Sequence, residues 1–325
     1  MSATAIVHPS DLLGKELTET LEKRAKQWRE VRLLSTLPDE IGGLTDVAGA
    51  AALVAPYDPD SLQGASTIYF CGPIAANRPL FQDVPPGATA VILSPDATPD
   101  DGQPVVAGVN SEAARVGQVL VSPHPAVVLL AHLLHPLRGM GAESMVATVI
   151  QPASMFGNPG LEELFEQTRQ IVAMTERRPT PIFGAQLSFN LLPTPADALP
   201  LAATLRSVLG DLVEPGEGGG QDGPPLVAVQ LLQGGVFHSL AASLYVRFAG
   251  AATVQSVRKA LAAHPYLEAV DRPKHLGPID AAAHDKVLYG NVRKDAAGGF
   301  WLWAVMDNLT RGGALNAVEI VEGLQ

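Results

Sequence analysis

The chain has 325 residues, of which 47% are hydrophobic, and a formal net charge of −11. Its length predicts two globular domains, because domains usually have ~100–200 residues. The negative charge and the absence of a basic run argue against nucleic acid and anionic membranes as partners. The single cysteine, Cys71, excludes an intrachain disulfide and is typical of a cytoplasmic protein. No uncharged apolar run reaches ~18 residues and the N-terminus lacks a signal-peptide pattern, so no membrane span is predicted.

The N-terminal part, residues 1–125, alternates short apolar runs with amphipathic or turn-rich segments. A helix is predicted over Asp11–Lys26, because leucines recur there at every fourth residue and share one face. Short apolar strands separated by crossovers are typical of a buried parallel sheet. The loop His8–Gly14 follows the first strand, where dinucleotide-binding folds place their phosphate loop. The strands predicted in this part are Thr4–Val7, Val31–Leu34, Ala51–Ala55, Thr67–Cys71, Ala88–Leu93 and Val119–Val121.

The second half groups strands beside helices, which predicts an α+β domain with a mostly antiparallel sheet. Its predicted helices are Ala126–Leu137, ended by Pro136 and Gly139, Leu161–Met174, Leu199–Leu209, Thr253–Ala263 and Arg311–Gly323. Its predicted strands are Ser144–Gln151, Leu187–Asn190, Val227–Gln233, His238–Phe248, Val287–Arg293 and Gly299–Met306. The segment Glu214–Pro225 is rich in glycine and proline and is predicted to be an exposed loop.

The tail, Phe300–Glu322, reads FWLWAVMDNLTRGGALNAVEIVE. The tail contains an apolar strand, then Asp-Asn-Leu, then a glycine pair that opens a helix. This order resembles the C-terminal signature of aspartate-semialdehyde dehydrogenases. Further segments resemble that family in the same order: Ala5–Leu17, Val91–Asn110, Leu161–Ile171 and Leu187–Pro193. The resemblance implies an α/β chain with a Rossmann-like N-terminal domain, residues 1–125 completed by 307–325. It also implies an α+β dimerisation domain over residues 126–306.

The family forms a thioester on a cysteine thiolate, passes hydride to NADP and releases an acyl phosphate. This chemistry needs a thiol of low pKa and a base within hydrogen-bond reach. The family motif Asn-Pro-Asn-Cys matches Ser122–Pro125 here, so the nucleophile position holds Pro125, which has no nucleophilic atom. Cys71 lies about fifty positions earlier. It is either a relocated thiol or a small buried core residue.

The family's phosphate loop, Gly-x-x-Gly-x-x-Gly, lets the backbone approach a pyrophosphate. The matching positions here are His8, Asp11 and Gly14. A β-carbon at the first two positions crowds the loop, and a carboxylate repels a diphosphate; Asp11 is also typical of a helix N-cap. A second cofactor loop, Phe70–Pro73, keeps Gly72. Gly14 and Gly72 are the residues that remain of the family's cofactor-binding loops, so no bound cofactor is predicted. If a cofactor binds, NADP is the candidate.

Two arginines that bind substrate and phosphate in the family match Thr98 and Leu231, which cannot bind an anion bidentately. Other family positions are kept. His238 matches the base, Gln151 matches an active-site glutamine, and Ser154 follows three residues later. His238 is therefore either a general base or a strand histidine held in a hydrogen-bond network.

Three histidines, His124, His132 and His135, have a spacing that can hold zinc. No carboxylate or thiol stands beside them in the sequence, so no metal site is predicted. Hydrolase and P-loop motifs are also missing from the chain.

The joint loss of nucleophile, arginines and loop glycines favours a catalytically inactive homologue. Such a chain would act as a homodimer through its second domain, or as a partner subunit of an active homologue. Whether the chain is an enzyme therefore stays open, and the observations favour the interpretation that it is not. One alternative is an oxidoreductase acting on an aldehyde or acyl group with a nicotinamide cofactor, using His238, Gln151 and His124 without a covalent intermediate. Another is a regulatory module that binds an acidic metabolite.

Overall fold

The chain folds into two compact units in a computed structural model. The first unit contains Met1–Pro125 and Gly312–Gln325, and the second contains Ala126–Arg311. The structure describes residues 3–24, 30–47, 50–175, 179–194, 199–210, 226–270 and 275–324. The predicted loop Glu214–Pro225 lies outside these residues, as does the end of the first predicted helix. Within them, no helix has both the length and the apolar content needed to cross a bilayer.

The first unit is built on a seven-stranded sheet in the order β5-β2-β1-β6-β7-β9-β8. Every neighbouring pair in it is parallel. All five residues of β1 are buried, as expected of a strand covered on both faces. The predicted Rossmann-like sheet is thereby confirmed. The elements in chain order are β1 (Ala3–Val7), α1 (Leu12–Lys23), β2 (Val31–Ser35), β3 (Leu44–Val47), β4 (Ala50–Leu53), β5 (Ala55–Pro56), β6 (Ala65–Phe70), α2 (Ile74–Asn77), β7 (Thr89–Ile92), β8 (Gln103–Pro104) and β9 (Val119–Val121).

One predicted strand, Ala51–Ala55, is wrong as a single element. Its first part, β4, pairs antiparallel with β3 in a separate hairpin, while β5 joins the large sheet beside β2. Val54 separates them, because its backbone pairs with Gly42 and Gly43 at the base of the hairpin. A continuous apolar run carries no sign of such a change of partner.

The second unit contains another seven-stranded sheet, in the order β11-β12-β10-β13-β16-β15-β14. The pairs β10–β12 and β14–β15 are parallel and the others antiparallel, so the predicted mostly antiparallel sheet is confirmed. The elements are α3 (Pro125–Arg138), β10 (Ala142–Gln151), α4 (Gly157–Val172), β11 (Leu191–Pro193), α5 (Leu201–Val208), β12 (Leu226–Gly234), β13 (Leu240–Phe248), α6 (Val254–Ala262), β14 (Leu267–Ala269), β15 (Val287–Lys294), β16 (Phe300–Met306) and, returning to the first unit, α7 (Leu315–Glu322).

Three predictions in this half are corrected. Leu187–Asn190 is a turn closed by a hydrogen bond from the Asn190 amide to the Leu187 carbonyl, and the strand comes after it. Pro136 does not end α3, which continues to Arg138. His238 precedes β13, which begins at Leu240, so it is not a strand residue.

Part of the open face of the second sheet is apolar. On β10, Met145, Ala147 and Val149 are buried on one face, whereas Val146 on the other face is 54% exposed. In register with Val146 lie Tyr245 on β13 and, beyond it, Trp301 on β16, both partly exposed. A strip of apolar side chains therefore crosses three strands at the surface.

The C-terminal helix α7 is an integral part of the first unit. Asn316 accepts a hydrogen bond from the Ala107 amide at 2.9 Å and donates to Ser122 Oγ at 2.9 Å. At the end of α1, Arg24 forms ion pairs with Glu319 and Glu322.

Candidate functional site

The candidate site of the first unit lies where β1 and β6 run side by side. The chain turns to opposite sides of the sheet after these strands, and ligands of doubly wound folds bind at such a switch point. His8 follows β1 directly, and Gly72 lies just after β6. Gly72 has φ of 72°, and a β-carbon on it would lie 3.0 Å from His8 Cβ. The two loops are thus closely packed, and glycine is required at the contact.

The imidazole of His8 occupies this position as part of the protein interior. His8 is fully buried, and its backbone has φ of 56°, a left-handed conformation that favours glycine. Its Nε2 accepts from the Thr36 amide at 3.3 Å and lies 2.9 Å from Thr36 Oγ1. Its Nδ1 lies 2.9 Å from Asn77 Oδ1. Because Nε2 accepts from an amide, the imidazole proton is assigned to Nδ1, which donates to Asn77.

The network continues through two more buried side chains. Asn77 Nδ2 donates to the Cys71 carbonyl at 2.7 Å and to Ser94 Oγ at 3.0 Å. Ser94 Oγ in turn donates to the Gly72 carbonyl at 2.6 Å. Residues that follow β1, β2, β6 and β7 are thereby linked. The buried polar groups at this sheet edge are thus hydrogen-bonded to one another.

Asp11 closes the first turn of α1 as its N-cap. Its Oδ1 accepts from the Gly14 amide at 2.5 Å. A β-carbon at Gly14 would lie 2.6 Å from the carbonyl carbon of Pro9, so helix and loop are in contact. Desolvation, with a smaller contribution from the charge of Glu40, raises the pKa of Asp11 from 3.8 to about 6, against the lowering effect of the Gly14 hydrogen bond. At neutral pH a carboxylate thus holds an amide that would otherwise be available to an anion at this helix N-terminus.

The thiol of Cys71 is unsuited to nucleophilic attack. Cys71 is fully buried, and burial raises its pKa well above the usual value, with the charges of Asp11 and Glu40 adding to the rise. A reactive cysteine needs the opposite, an exposed thiol of lowered pKa.

Thr98, at the position of a family arginine, also faces a carboxylate. Its amide and its hydroxyl donate to Asp101 Oδ2 at 2.9 and 3.2 Å. Arg78 binds the same carboxylate with two hydrogen bonds of 2.7 and 3.1 Å, which lowers the pKa of Asp101. The cation nearest to Thr98 in this network is therefore already neutralised.

In the second unit, the structure brings the loop that follows Gln151, at the end of β10, next to the loop that carries His238. Beyond Gln151, the Ala153 and Ser154 amides donate to the Val236 and Phe237 carbonyls at 2.8 and 3.0 Å. His238 follows at once and is exposed.

Asn308 joins the same two loops. Its Oδ1 accepts from Ser154 Oγ at 3.2 Å and from the Ser239 amide at 3.0 Å. Gln151 is buried, and its carbonyl accepts from Gln233 Nε2 at 3.2 Å. Leu231 is a buried residue within β12 and brings no charge.

Pro125 is the first residue of α3, a position that suits proline because its missing N–H would have no helical partner. His124 before it is buried, and burial lowers the pKa of its imidazole to about 4, so it is neutral at pH 7.

The histidines of α3 lie near His264 of the same unit. His132 is buried, and its Nδ1 lies 3.0 Å from Nε2 of His264. The rings of His135 and His264 are 5.6 Å apart. Across the described ranges, no group of three or more histidine, cysteine or acidic side chains is arranged to hold a metal ion.

Sequence reasoning missed Thr36, Asn77, Ser94 and Glu40. Each is a single polar residue in a segment without a recognised motif, and each reaches the first site over a long sequence separation. Asn308 was not singled out either, although it belongs to the Asp-Asn-Leu segment of the tail, which offered a signal for it.

Comparison with known proteins places this geometry in a family. Residues 134–311 match the family model of the semialdehyde dehydrogenase dimerisation domain. The chain is 30% identical, over 98% of its length, to a USG-1 protein homolog of Azotobacter vinelandii, of which 96% is covered. It is 25% identical, over 99% of its length, to the aspartate-semialdehyde dehydrogenase of Bacillus subtilis (strain 168), of which 96% is covered. The solved structure of a probable aspartate-semialdehyde dehydrogenase from Pseudomonas aeruginosa has a TM-score of 0.84 at 24% identity and covers 99% of this chain and 97% of that one. The family resemblance in the sequence is thereby confirmed, and the chain belongs to the semialdehyde dehydrogenase family.

Proposed function

We propose that this chain is a catalytically inactive homologue of aspartate-semialdehyde dehydrogenase that acts through association. The observation that carries the proposal is Pro125 at the start of α3, at the position matched to the family's nucleophilic cysteine. Without a thiolate there, no thioester forms on this residue. Cys71 does not replace it, because it is buried and its pKa is raised.

Loss of the nicotinamide cofactor is the second part of the proposal. The His8 side chain, held by Thr36 and Asn77, takes up the position of the first loop glycine. The Asp11 carboxylate accepts the Gly14 amide hydrogen bond and would repel a diphosphate. Both features support a crevice that no longer accepts NADP.

Association is the third part. The chain carries the family's dimerisation domain, and the apolar strip of Val146, Tyr245 and Trp301 on its large sheet suits burial against a partner. A second copy of this chain is the partner we propose first. The same face offers a route to hetero-association with an active homologue.

An enzymatic assay tests the loss of catalysis. Phosphate-dependent oxidation of aspartate semialdehyde with NADP is followed by absorbance for the wild type and for Pro125→Cys. We expect no turnover in either, because Thr98 and Leu231 still lack the guanidinium groups. Turnover by the wild type, or an acyl group trapped on any of its side chains, would refute the proposal. Calorimetric titration with NADP should show no binding at millimolar cofactor, and micromolar binding would instead support a non-covalent oxidoreductase.

Light scattering tests the association. The wild type should have the mass of a dimer at micromolar concentration, and Val146→Asp should shift it towards the monomer. Val116→Asp is the matched control, since Val116 is 66% exposed and belongs to the first unit, not to the sheet that carries Val146. A monomeric wild type contradicts this part.

A further inference from the structure

A cavity of about 480 Å³ lies between α5 and β12 in the second unit. Leu199, Leu201, Val229 and Leu231 give it mainly apolar walls, and Thr194 and Gln230 are also among the lining residues. Its volume is within the range of ~300–1,000 Å³ that small-molecule sites occupy.

Arg206 is the charged side chain of this cavity. It lies on α5 and is half-buried. Within the part of the chain that the structure describes, it forms neither an ion pair nor a hydrogen bond. A guanidinium partly removed from water is costly unless an anion or acceptors compensate it. The free donors of Arg206 therefore favour an anion from outside the chain.

The composition of the walls selects the class of anion. A single guanidinium pairs with one carboxylate, bidentately if the geometry allows. Apolar walls bind an apolar body, which acetate or inorganic phosphate lacks. Leu231 on β12 stands where the resembled family has its substrate arginine. The cation of this cavity is instead Arg206, which lies on the helix α5. The ligand that fits differs from a small polyanionic substrate.

We propose that this cavity binds an organic monocarboxylate with an apolar body, with the Arg206 guanidinium as the partner of its carboxylate. The site lies wholly in the second unit. It requires neither the nucleotide crevice nor a nucleophile, so it goes beyond the proposed loss of catalysis and stands independently of it.

Isothermal titration of the full chain at pH 7 with octanoate tests the proposal. Octylammonium and acetate are the matched probes, the first with the same tail and the opposite charge, the second with the same head and almost no tail. We expect octanoate to bind and the other two not to bind at the same concentrations. Equal binding of octylammonium, or no octanoate binding at millimolar concentration, overturns the proposal.

Variants locate the binding. Arg206→Gln should weaken octanoate binding by about tenfold or more, the size expected for a lost charged hydrogen bond. Arg169→Gln is the control, because Arg169 is an exposed arginine on α4 paired with Glu166. Ala203→Trp, at an exposed position on the cavity rim, should abolish binding while circular dichroism stays unchanged. Octanoate binding that survives both Arg206→Gln and Ala203→Trp places the ligand elsewhere and refutes the site.

Discussion

Replacing Asp11 by asparagine separates two roles of this side chain. Asparagine is as good an N-cap as aspartate, and its side-chain oxygen can accept the hydrogen bond from the Gly14 amide. It carries no charge, so the desolvation that raises the pKa of Asp11 to about 6 no longer costs free energy. We therefore expect Asp11→Asn to be more stable than the wild type at pH 7.

The magnitude follows from the pKa. A rise from 3.8 to about 6 corresponds to ~3 kcal/mol, which screening at a partly exposed carboxylate reduces to about 1–2 kcal/mol. The sign follows from proton linkage. Between these two pKa values the folded chain binds more protons at Asp11 than the unfolded chain. The wild type therefore gains stability from this group as the pH falls through 6, and the advantage of Asp11→Asn should vanish near pH 3.8.

Hydrogen exchange of α1 peptides, followed by mass spectrometry from pH 4 to pH 8, measures the effect where it acts. Peptides of β10, in the other unit, serve as the internal control. Asp11→Ala loses the cap as well as the charge and should be less protected than Asp11→Asn by ~1 kcal/mol at every pH. Equal or lower protection of α1 in Asp11→Asn at pH 7, or a difference from wild type that does not change with pH, refutes the reasoning.

Three further predictions concern other buried groups. Burial lowers the folded-state pKa of His264 to about 4, so its contribution to stability is complete above pH 6.5 and is lost as the pH falls towards 4. In His264→Gln this acid-induced loss should be smaller, as measured by urea denaturation. Cys71 is buried and should react with an aromatic disulfide only at the rate of unfolding; fast reaction of the native chain contradicts its inert role. Gly14→Ala should lower the free energy of unfolding by about 2 kcal/mol, because the new carbon would overlap the Pro9 carbonyl. Gly139→Ala, with no atom within 4 Å, is its control and should be neutral.

The large sheets could be predicted from the sequence because their strands are long or wholly apolar. The burial of β1 on both faces and the alternation along β10 are local signals of a strand covered on both faces and of a strand covered on one face only. Short elements were missed because they contain too few residues to show such a signal. The two-residue strands β5 and β8 owe their existence to neighbours in the sheet, and Leu187–Asn190 has apolar residues that pack in a turn.

The candidate site was foreseen at some positions and not at others. Matching the loop to a glycine pattern located His8 and Asp11, because spacing along the chain determines which residues follow β1. The partners of His8 could not be found in this way. Thr36 and Asn77 are 28 and 69 residues distant in sequence, and only the folded sheet edge brings them to the imidazole.

The return of the chain to its first unit has a consequence for biosynthesis. Asn316 and the acidic residues of α7 that bind Arg24 are made after all the strands of the second unit, yet they complete a unit whose strands are made first. On the ribosome the N-terminal unit is therefore completed only after the whole second unit has been made. A nascent chain halted before residue 316 would leave the backbone groups of Val105 and Ala107 without this asparagine, so this part of the first unit stays uncovered for as long as the second unit is being made.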